Sequence, residues 1–491
     1  MIRVRFAPSP TGYVHIGSLR TALYNYLFAK NMQGKYILRI EDTDQTRYVE
    51  GSIENLIHCL MSTGIIHDEG SFITDNRLIE KGDFGPYTQS KRLALYQEYI
   101  QQLIEQNWAY YCFCSKERLS EVRDRQKEKG ETPKYDGHCR ALSKEEIQQK
   151  LDTGIPYVIR LKLPEEYNIT FEDVVRGNIQ MNTQDLDDQI LMKSDGFPTY
   201  HFAVVIDDHL MGITHIIRGE EWLPSTPKHV LLYQAFGWEE PKYVHLPNIL
   251  NEDKKKLSKR QGDVAVEDFL NKGYLPEALV NYIALLGWSP DSSEEIFDME
   301  SLIQHFDLTR VNKSGAVFDR DKLNWMNAIY IKNLDSDVLM EKITPYLTES
   351  DYISKHQVEE DPDLIKMIAE TFKEKLSRLS DIIPLINDLY KEGMEFDEDM
   401  LEILHGENIP LLTEALIHEI SDLNEITPEN LKVIFKRIQK EKGIKGKDLY
   451  MPARIITTGE MHGSDLMKTL SILGKERVLR RIRQFKEARF S

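Results

Sequence analysis

The sequence predicts an α/β protein: a doubly wound parallel sheet interrupted by an α+β insertion, followed by an all-α C-terminal half. Three patterns lead there. The chain opens as strand, loop, helix, strand; short alternating runs and helices then break that rhythm; and from Glu267 onward strand signals nearly vanish while amphipathic helices dominate.

Each element has a local reason. Ile2, Val4 and Phe6 alternate with Arg3 and Arg5, the period of a half-buried strand. After a loop from Ala7 to Gly17, the stripe Leu19, Ala22, Leu23, Tyr26 and Leu27 reads as a helix closed by Gly34, and Tyr36 to Ile40 as a second strand ending at Glu41-Asp42-Thr43-Asp44. The insertion begins with a helix over 92–105. A second helix, over 144–151, is announced by Ser143 with Glu146 three residues on, a capping-box pattern. Alternating runs follow at 157–163 and 189–193. The α/β pattern resumes with Phe202–Ile206, the strand Thr214–Ile217 and a helix near 227–236, with Thr226 as cap, Pro227 at its first position and Gly237 past its end. Pro290, Pro345 and Pro410 punctuate the helical remainder.

A chain of 491 residues calls for several domains. With 41% apolar and 29% charged residues it is neither disordered nor a membrane protein, and no apolar run approaches the ~20 residues needed to span a bilayer. The opening Met1-Ile2-Arg3-Val4-Arg5 lacks a signal-peptide layout, so a cytoplasmic location is expected. Four cysteines are too few for a disulfide framework and point to metal binding or plain burial. Net charge is −18, which alone argues against a nucleic-acid partner. From Leu431 to Ser491, however, sixteen Lys or Arg stand against six Asp or Glu, a balance of +10, which leaves −28 on the rest. An acidic body with a basic tail suits local RNA binding; solvated basic helices are the plainer alternative.

Open α/β sheets bind ligands at the carboxyl ends of their strands. Those ends carry Arg5, Glu41 and Arg218-Gly219-Glu220-Glu221, two cations and an acid that suit a small zwitterion with an extra carboxylate, or else make ordinary ion pairs. Ser9 to Ser18 (Ser-Pro-Thr-Gly-Tyr-Val-His-Ile-Gly-Ser) leads directly into the first helix, whose N-terminus can hold phosphate. Asp253 to Gly262 (Asp-Lys-Lys-Lys-Leu-Ser-Lys-Arg-Gln-Gly) is a basic, hydroxyl-bearing loop, able to stabilise a transferring phosphoryl group or simply solvated.

Together these segments resemble the two signatures of class I aminoacyl-tRNA synthetases. Arg-Phe-Ala-Pro-Ser-Pro-Thr-Gly (5–12), Leu-Arg-Ile-Glu-Asp-Thr-Asp (38–44), Gly-Phe-Pro-Thr-Tyr-His (196–201), Ile-Arg-Gly-Glu-Glu-Trp (217–222), Lys-Leu-Ser-Lys-Arg (256–260) and the tail from Lys445 to Gly459 resemble the glutamyl-tRNA synthetase family, bacterial type, end to end. The resemblance implies a Rossmann-type catalytic domain and the ATP-dependent joining of L-glutamate to tRNA(Glu), with Mg²⁺ accompanying the ATP. Whether tRNA(Gln) is also charged would depend on the helical tail. His15 and Lys259 would be catalytic, stabilising the α-phosphate. Arg5, Tyr200 and Arg218 would face the glutamate side chain, and Ser9 and Glu41 its α-amino group. Thr11, Gly12, His15, Gly17, Glu221, Trp222, Lys256, Ser258 and Lys259 would serve ATP, with Glu221 and Trp222 toward the adenosine and the tRNA terminus. The implied domains are 1–92 and 200–250 (catalytic), 93–199 (an inserted acceptor-binding domain), 251–334 (stem contact, carrying the lysine loop) and 335–491 (helical, anticodon-binding), in a monomer.

The pattern departs from the family in two places. Val204 stands where some relatives carry Asn. Cys112, Cys114 and Cys139 resemble the zinc site of some members, but the histidine two residues after the third cysteine is replaced by Ala141, leaving Tyr135 or His138 as fourth ligand. Cys59, His58 and His67 read as structural. A glutaminyl-tRNA synthetase would carry an uncharged residue at position 218 and a β-barrel tail, and this tail reads as helix.

Overall fold

The computed structural model describes residues 1–75, 77–257 and 264–490. The chain divides into two compact units, Met1–Asn271 with Pro276–Arg320, and Lys272–Leu275 with Asp321–Ser491.

In the first unit, strands Arg3–Phe6, Lys35–Leu38 and Glu69–Thr74 pair in parallel, with Arg77–Lys81 antiparallel at the edge. A second four-stranded sheet runs His215–Gly219, Lys242–Leu246, Asn168–Asp173, Gly177–Asn182; its first two pairings are parallel and its last is an antiparallel hairpin. The sheets meet where the Arg3 amide donates to Thr214 Oγ1 (3.0 Å) and the Thr214 amide to the Arg3 carbonyl (2.9 Å). Strand order thus departs in opposite directions from Arg3–Phe6 and His215–Gly219, the arrangement that opens a crevice at the strand ends of a doubly wound fold. The expected doubly wound parallel sheet is present.

The helix Ile16–Asn31 packs on strands Arg3–Phe6, Lys35–Leu38 and His215–Gly219 and on helices Pro276–Ala284 and Met299–His305. Contact on several sides explains why Arg20, Tyr24 and Asn25 are buried beside the predicted apolar stripe. This helix ends at Asn31, and the left-handed residue after it is Gln33 (φ 51), not Gly34. Gly34 serves another purpose: a Cβ there would come within 2.4 Å of the Ile2 carbonyl oxygen, where the chain turns into the next strand.

Phe202–Ile206 lies inside the helix Tyr200–Leu210, not in a strand. In the predicted insertion, the helices Leu93–Glu105 and Lys144–Asp152 form as read, the second with both bonds of its capping box. Its strands Ala109–Cys112, Val158–Leu161 and Ile190–Met192 make a separate antiparallel sheet. The hairpin 168–182 instead joins the second large sheet. Thr226 begins its helix without capping it, and Gly237 closes that helix at φ 69.

The regular elements of the second unit are all helices among its described residues. Asp and Ser or Thr side chains cap many helix starts (Asp335, Ser354, Asp361, Asp397, Thr427, Asp465), and Gly443 and Gly459 close two helices at positive φ. Pro410 opens a helix as punctuation would, whereas Pro345 lies inside Ser336–Leu347, close to its end. Among the described residues no helix is long and apolar enough to cross a membrane.

Candidate functional site

The strand ends at the junction of the two sheets open into a cleft of about 870 Å³. Eleven of the residues selected from sequence line it: Arg5, Ser9, Thr11, His15, Gly17, Glu41, Tyr200, Arg218, Glu221, Trp222 and Lys256. Gly12 is near them in the chain at φ +121, a backbone state that side chains rarely adopt, although it is not part of the lining. Ser258 and Lys259 lie outside the described residues. Val204 is buried in the apolar core and does not reach the cleft.

The two predicted arginines differ in their partners. Arg5 donates through Nε and Nη2 to the two oxygens of Asp208 (3.0 and 3.3 Å), so its charge is already matched within the protein. Arg218, 4% exposed, has only neutral partners among the described residues: Nε donates to His245 Nε2 (3.1 Å), Nη1 to Tyr200 Oη (3.2 Å), and Nη2 to Thr226 Oγ1 (2.9 Å), with His229 Nδ1 at 3.3 Å. The neighbouring acids are engaged elsewhere. Glu220 binds Arg176 and Asn248, and Glu221 lies 3.9 Å from Lys256. An unpaired buried guanidinium costs several kcal/mol, which an anionic ligand would offset.

Glu41 sits across the cleft, held by Arg39 (Nη2 to Oε1, 2.9 Å). Burial pushes its carboxyl above the usual range, while Arg39 and Arg5 oppose that shift. Arg39 is fully buried and also donates to Asp208 (2.7 Å), so one cation orients the acid of the cleft and the acid that pairs Arg5. The Tyr200 ring lies against Trp222, with centroids 4.1 Å apart.

At the other end of the cleft His15 caps the helix Ile16–Asn31. Its Nδ1 accepts the Gly17 amide (2.9 Å), which puts the proton of the neutral ring on Nε2. A Cβ at Gly17 would press within 3.2 Å of that Nδ1. The first turn carries no acid, so the helix N-terminus suits an anion. The described residues on either side of the basic loop are tied down: Ile16 donates to Val264 and Val266 to Val14 (both 2.9 Å), and Leu257 to Ile249 (2.9 Å).

In the insertion, the sulfurs of Cys112, Cys114 and Cys139 all lie within 4.8 Å of one another. The Tyr135 hydroxyl is among them, 3.4 Å from Cys112 Sγ and 3.6 Å from Cys114 Sγ. His138 is exposed, and its backbone amide is turned to Asp136. Hydrogen bonding from Cys139, with Tyr135 assisting, pushes the Cys112 thiol well down against the effect of burial. Three sulfurs at this spacing suit a zinc ion, and the Tyr135 hydroxyl is the oxygen nearest to them as a fourth donor.

Sequence reasoning missed Arg39, Asp173, Asp208, His229 and His245. A signal existed for Asp208: Asp207-Asp208 interrupts an apolar helix, and buried carboxylates need partners. Lys193, Thr43 and Asp44 also line the cleft, with Lys193 Nζ donating to the Thr43 carbonyl (3.2 Å).

Comparison with known proteins agrees with this geometry. Residues 1–325 match the family "tRNA synthetases class I (E and Q), catalytic domain", and residues 338–486 match "Anticodon binding domain". The chain is 57% identical to a glutamate–tRNA ligase of Clostridioides difficile (98% of each chain covered) and 56% identical to that of Alkaliphilus metalliredigens (99% of each). It also resembles the crystal structure of a glutamate tRNA ligase from Elizabethkingia meningosepticum in complex with its amino acid, at TM-score 0.86 and 37% identity over 99% of each chain.

Proposed function

The chain belongs to the glutamate–tRNA ligase family of class I aminoacyl-tRNA synthetases, and from that premise we propose how its cleft performs the reaction. The enzyme joins glutamate to tRNA at the expense of ATP. Arg218 takes the side-chain carboxylate, with Tyr200 and Arg5 beside it, and Ser9 and Glu41 hold the α-ammonium group. An oxygen of the α-carboxylate then attacks the α-phosphorus; the new O–P bond forms as the bond to pyrophosphate breaks. His15 Nε2–H, the helix N-terminus and Lys259 stabilise the charge that develops there, and Thr11, Gly12, Gly17, Lys256 and Ser258 cradle the nucleotide. Glu221 and Trp222 face the adenosine and the tRNA terminus. In the second step the 2′-OH of the terminal adenosine of tRNA(Glu) attacks the activated carbonyl. The ester bond forms, AMP leaves and the hydroxyl proton is released.

Asp44 is a carboxylate of the cleft that would help hold the Mg²⁺ bound with the ATP, an ion that would supply neutralisation of phosphate charge. Zinc fits Cys112, Cys114, Cys139 and Tyr135 as a structural ion of the insertion. Residues 1–92 and 200–250, together with the hairpin 168–182 of their second sheet, form the catalytic domain; the rest of 93–199 receives the acceptor end, 251–334 contacts the stem and 335–491 reads the anticodon. The enzyme works in the cytoplasm as a monomer.

The observation that carries this reading is Arg218, a buried cation with four neutral neighbours and no carboxylate among its described partners. ATP–pyrophosphate exchange tests it. Exchange is expected with glutamate and to depend on added tRNA; exchange driven by glutamine, or by neither amino acid, would overturn it.

A further inference from the structure

Selection of a carboxylate by Arg218 requires that its fork point one way, and the groups behind it fix that direction. Asp173 ends its strand with both oxygens committed. Oδ1 accepts the amides of Val175 (3.0 Å) and Arg176 (2.9 Å); Oδ2 accepts the His245 amide (3.1 Å) and lies 2.6 Å from His245 Nδ1. Both residues are buried, Asp173 at 1% exposure and His245 at 0%. A carboxylate can only accept, so Nδ1 carries the proton and Nε2 presents its lone pair to Arg218 Nε–H. The same logic runs along the other arm. His229 Nδ1 accepts from Arg218, and its Nε2 proton points at His201 Nδ1 (3.1 Å). Both rings must stay neutral, because a second ring proton would face the guanidinium.

We infer that Asp173 and His245 are positioning residues for amino-acid selection: Asp173 fixes the His245 tautomer, and His245 thereby fixes Arg218. The inference rests on the assignment of Arg218 to the glutamate side chain. Asp173→Asn changes one atom and reverses the logic. The Asn oxygen that stays on the Val175 and Arg176 amides, two donors against the single His245 amide, turns its NH₂ toward His245 and gives up the bond to that amide. Nδ1 then has to accept, Nε2 acquires the proton, and that proton meets the Arg218 Nε–H.

The experiment measures KM and kcat for glutamate, glutamine and ATP in tRNA-dependent exchange, with melting temperature as the control for folding. Asp173→Asn is expected to raise the glutamate KM by roughly 10- to 100-fold and to lower the glutamate-to-glutamine ratio of kcat/KM, leaving the ATP KM near its parent value. In His245→Gln the side-chain amide can accept from Arg218 and donate to Asp173, so the ratio should hold, whereas His245→Leu should lower it. A lowered melting temperature with an unchanged ratio in Asp173→Asn would mean a structural role only and overturns the inference. Should that variant fail to fold, the His245→Gln and His245→Leu pair decides by the same ratio. Arg218→Cys is measured alongside. If it collapses the ratio and Asp173→Asn does not, the positioning inference alone fails; if neither moves it, the assignment of Arg218 fails as well.

Discussion

Arg5 and Arg218 project from adjoining strand ends into one cleft, yet among the described residues only Arg5 has a counter-charge. Asp208 neutralises Arg5, and Asp208 is itself held by Arg39. A glutamine amide could still satisfy the remaining valence of Arg5 and Tyr200 through its oxygen. It cannot satisfy Arg218, because the charge would stay unmatched and the amide NH₂ would add a donor beside donors. Glutamate and glutamine are nearly isosteric, so charge must make the distinction. For Arg218→Cys we expect kcat/KM for glutamate to fall by two to nearly four orders of magnitude, the equivalent of about 3–5 kcal/mol for breaking a buried pair. Glutamine should hold or gain. A glutamate preference that survives unchanged in tRNA-dependent exchange would place specificity elsewhere. At this scale the sequence exposed residues that line the cleft, since His15, Arg5, Glu41 and Arg218 fall at strand ends or at a helix start. It hid those that hold them. Asp173, His229 and His245 are 45, 11 and 27 positions from Arg218; the pairing of the second sheet brings Asp173 and His245 behind it, and the helix Thr226–Phe236 brings His229.

Elements were legible where a local pattern determines them and opaque where a tertiary contact does. The capping box at Ser143 and the Gly237 terminus follow from local chemistry and form as read. Thr226 reads as a cap, but its hydroxyl bonds the Trp222 carbonyl (3.2 Å) and receives Arg218. Phe202–Ile206 is apolar on every side because the helix is enclosed, which erases the period that separates helix from strand. The cysteine cluster shows the same limit. Its spacing suggested a metal, but the choice between Tyr135 and His138 needed the fold. Cys112 ends the strand Ala109–Cys112, and Cys114 and Cys139 lie in loops, so an ion there would tie a strand end to two loop segments. Metal analysis of the purified protein should give one zinc per chain. Cys112→Ser or prolonged chelation should remove it and lower the melting temperature of the insertion, while the ATP KM stays near its parent value. Full stability without metal would reduce the cluster to three packed thiols and a phenol.

The whole molecule is acidic, and its net positive charge is concentrated in one stretch. The stretch 431–491 carries +10 within a chain of −18. One helix shows how a single sequence period serves folding and charge at once. In Pro428–Lys442 the residues Leu431, Ile434, Phe435 and Ile438 are buried at helical spacing, and Lys432, Lys436 and Lys440, each four residues from the next, are exposed along another face. None of these three lysines makes an ion pair among the described residues, whereas Arg437 between them is bound to Glu419 (2.7 Å). Three exposed charges in a row are costly to leave facing one another and are well placed for a polyanion. If this face meets phosphates of tRNA, each contact releases counterions and steepens the salt dependence of binding. Changing all three lysines to glutamate should raise the KM for tRNA and flatten the slope of log affinity against log salt by about two to three. Because the positions are exposed, melting temperature should change little, and exchange at saturating tRNA should keep its parent kcat. Measured between 50 and 200 mM salt, an unaltered slope with unaltered tRNA KM would show that the basic tail is a solvated surface and that tRNA affinity comes from other residues.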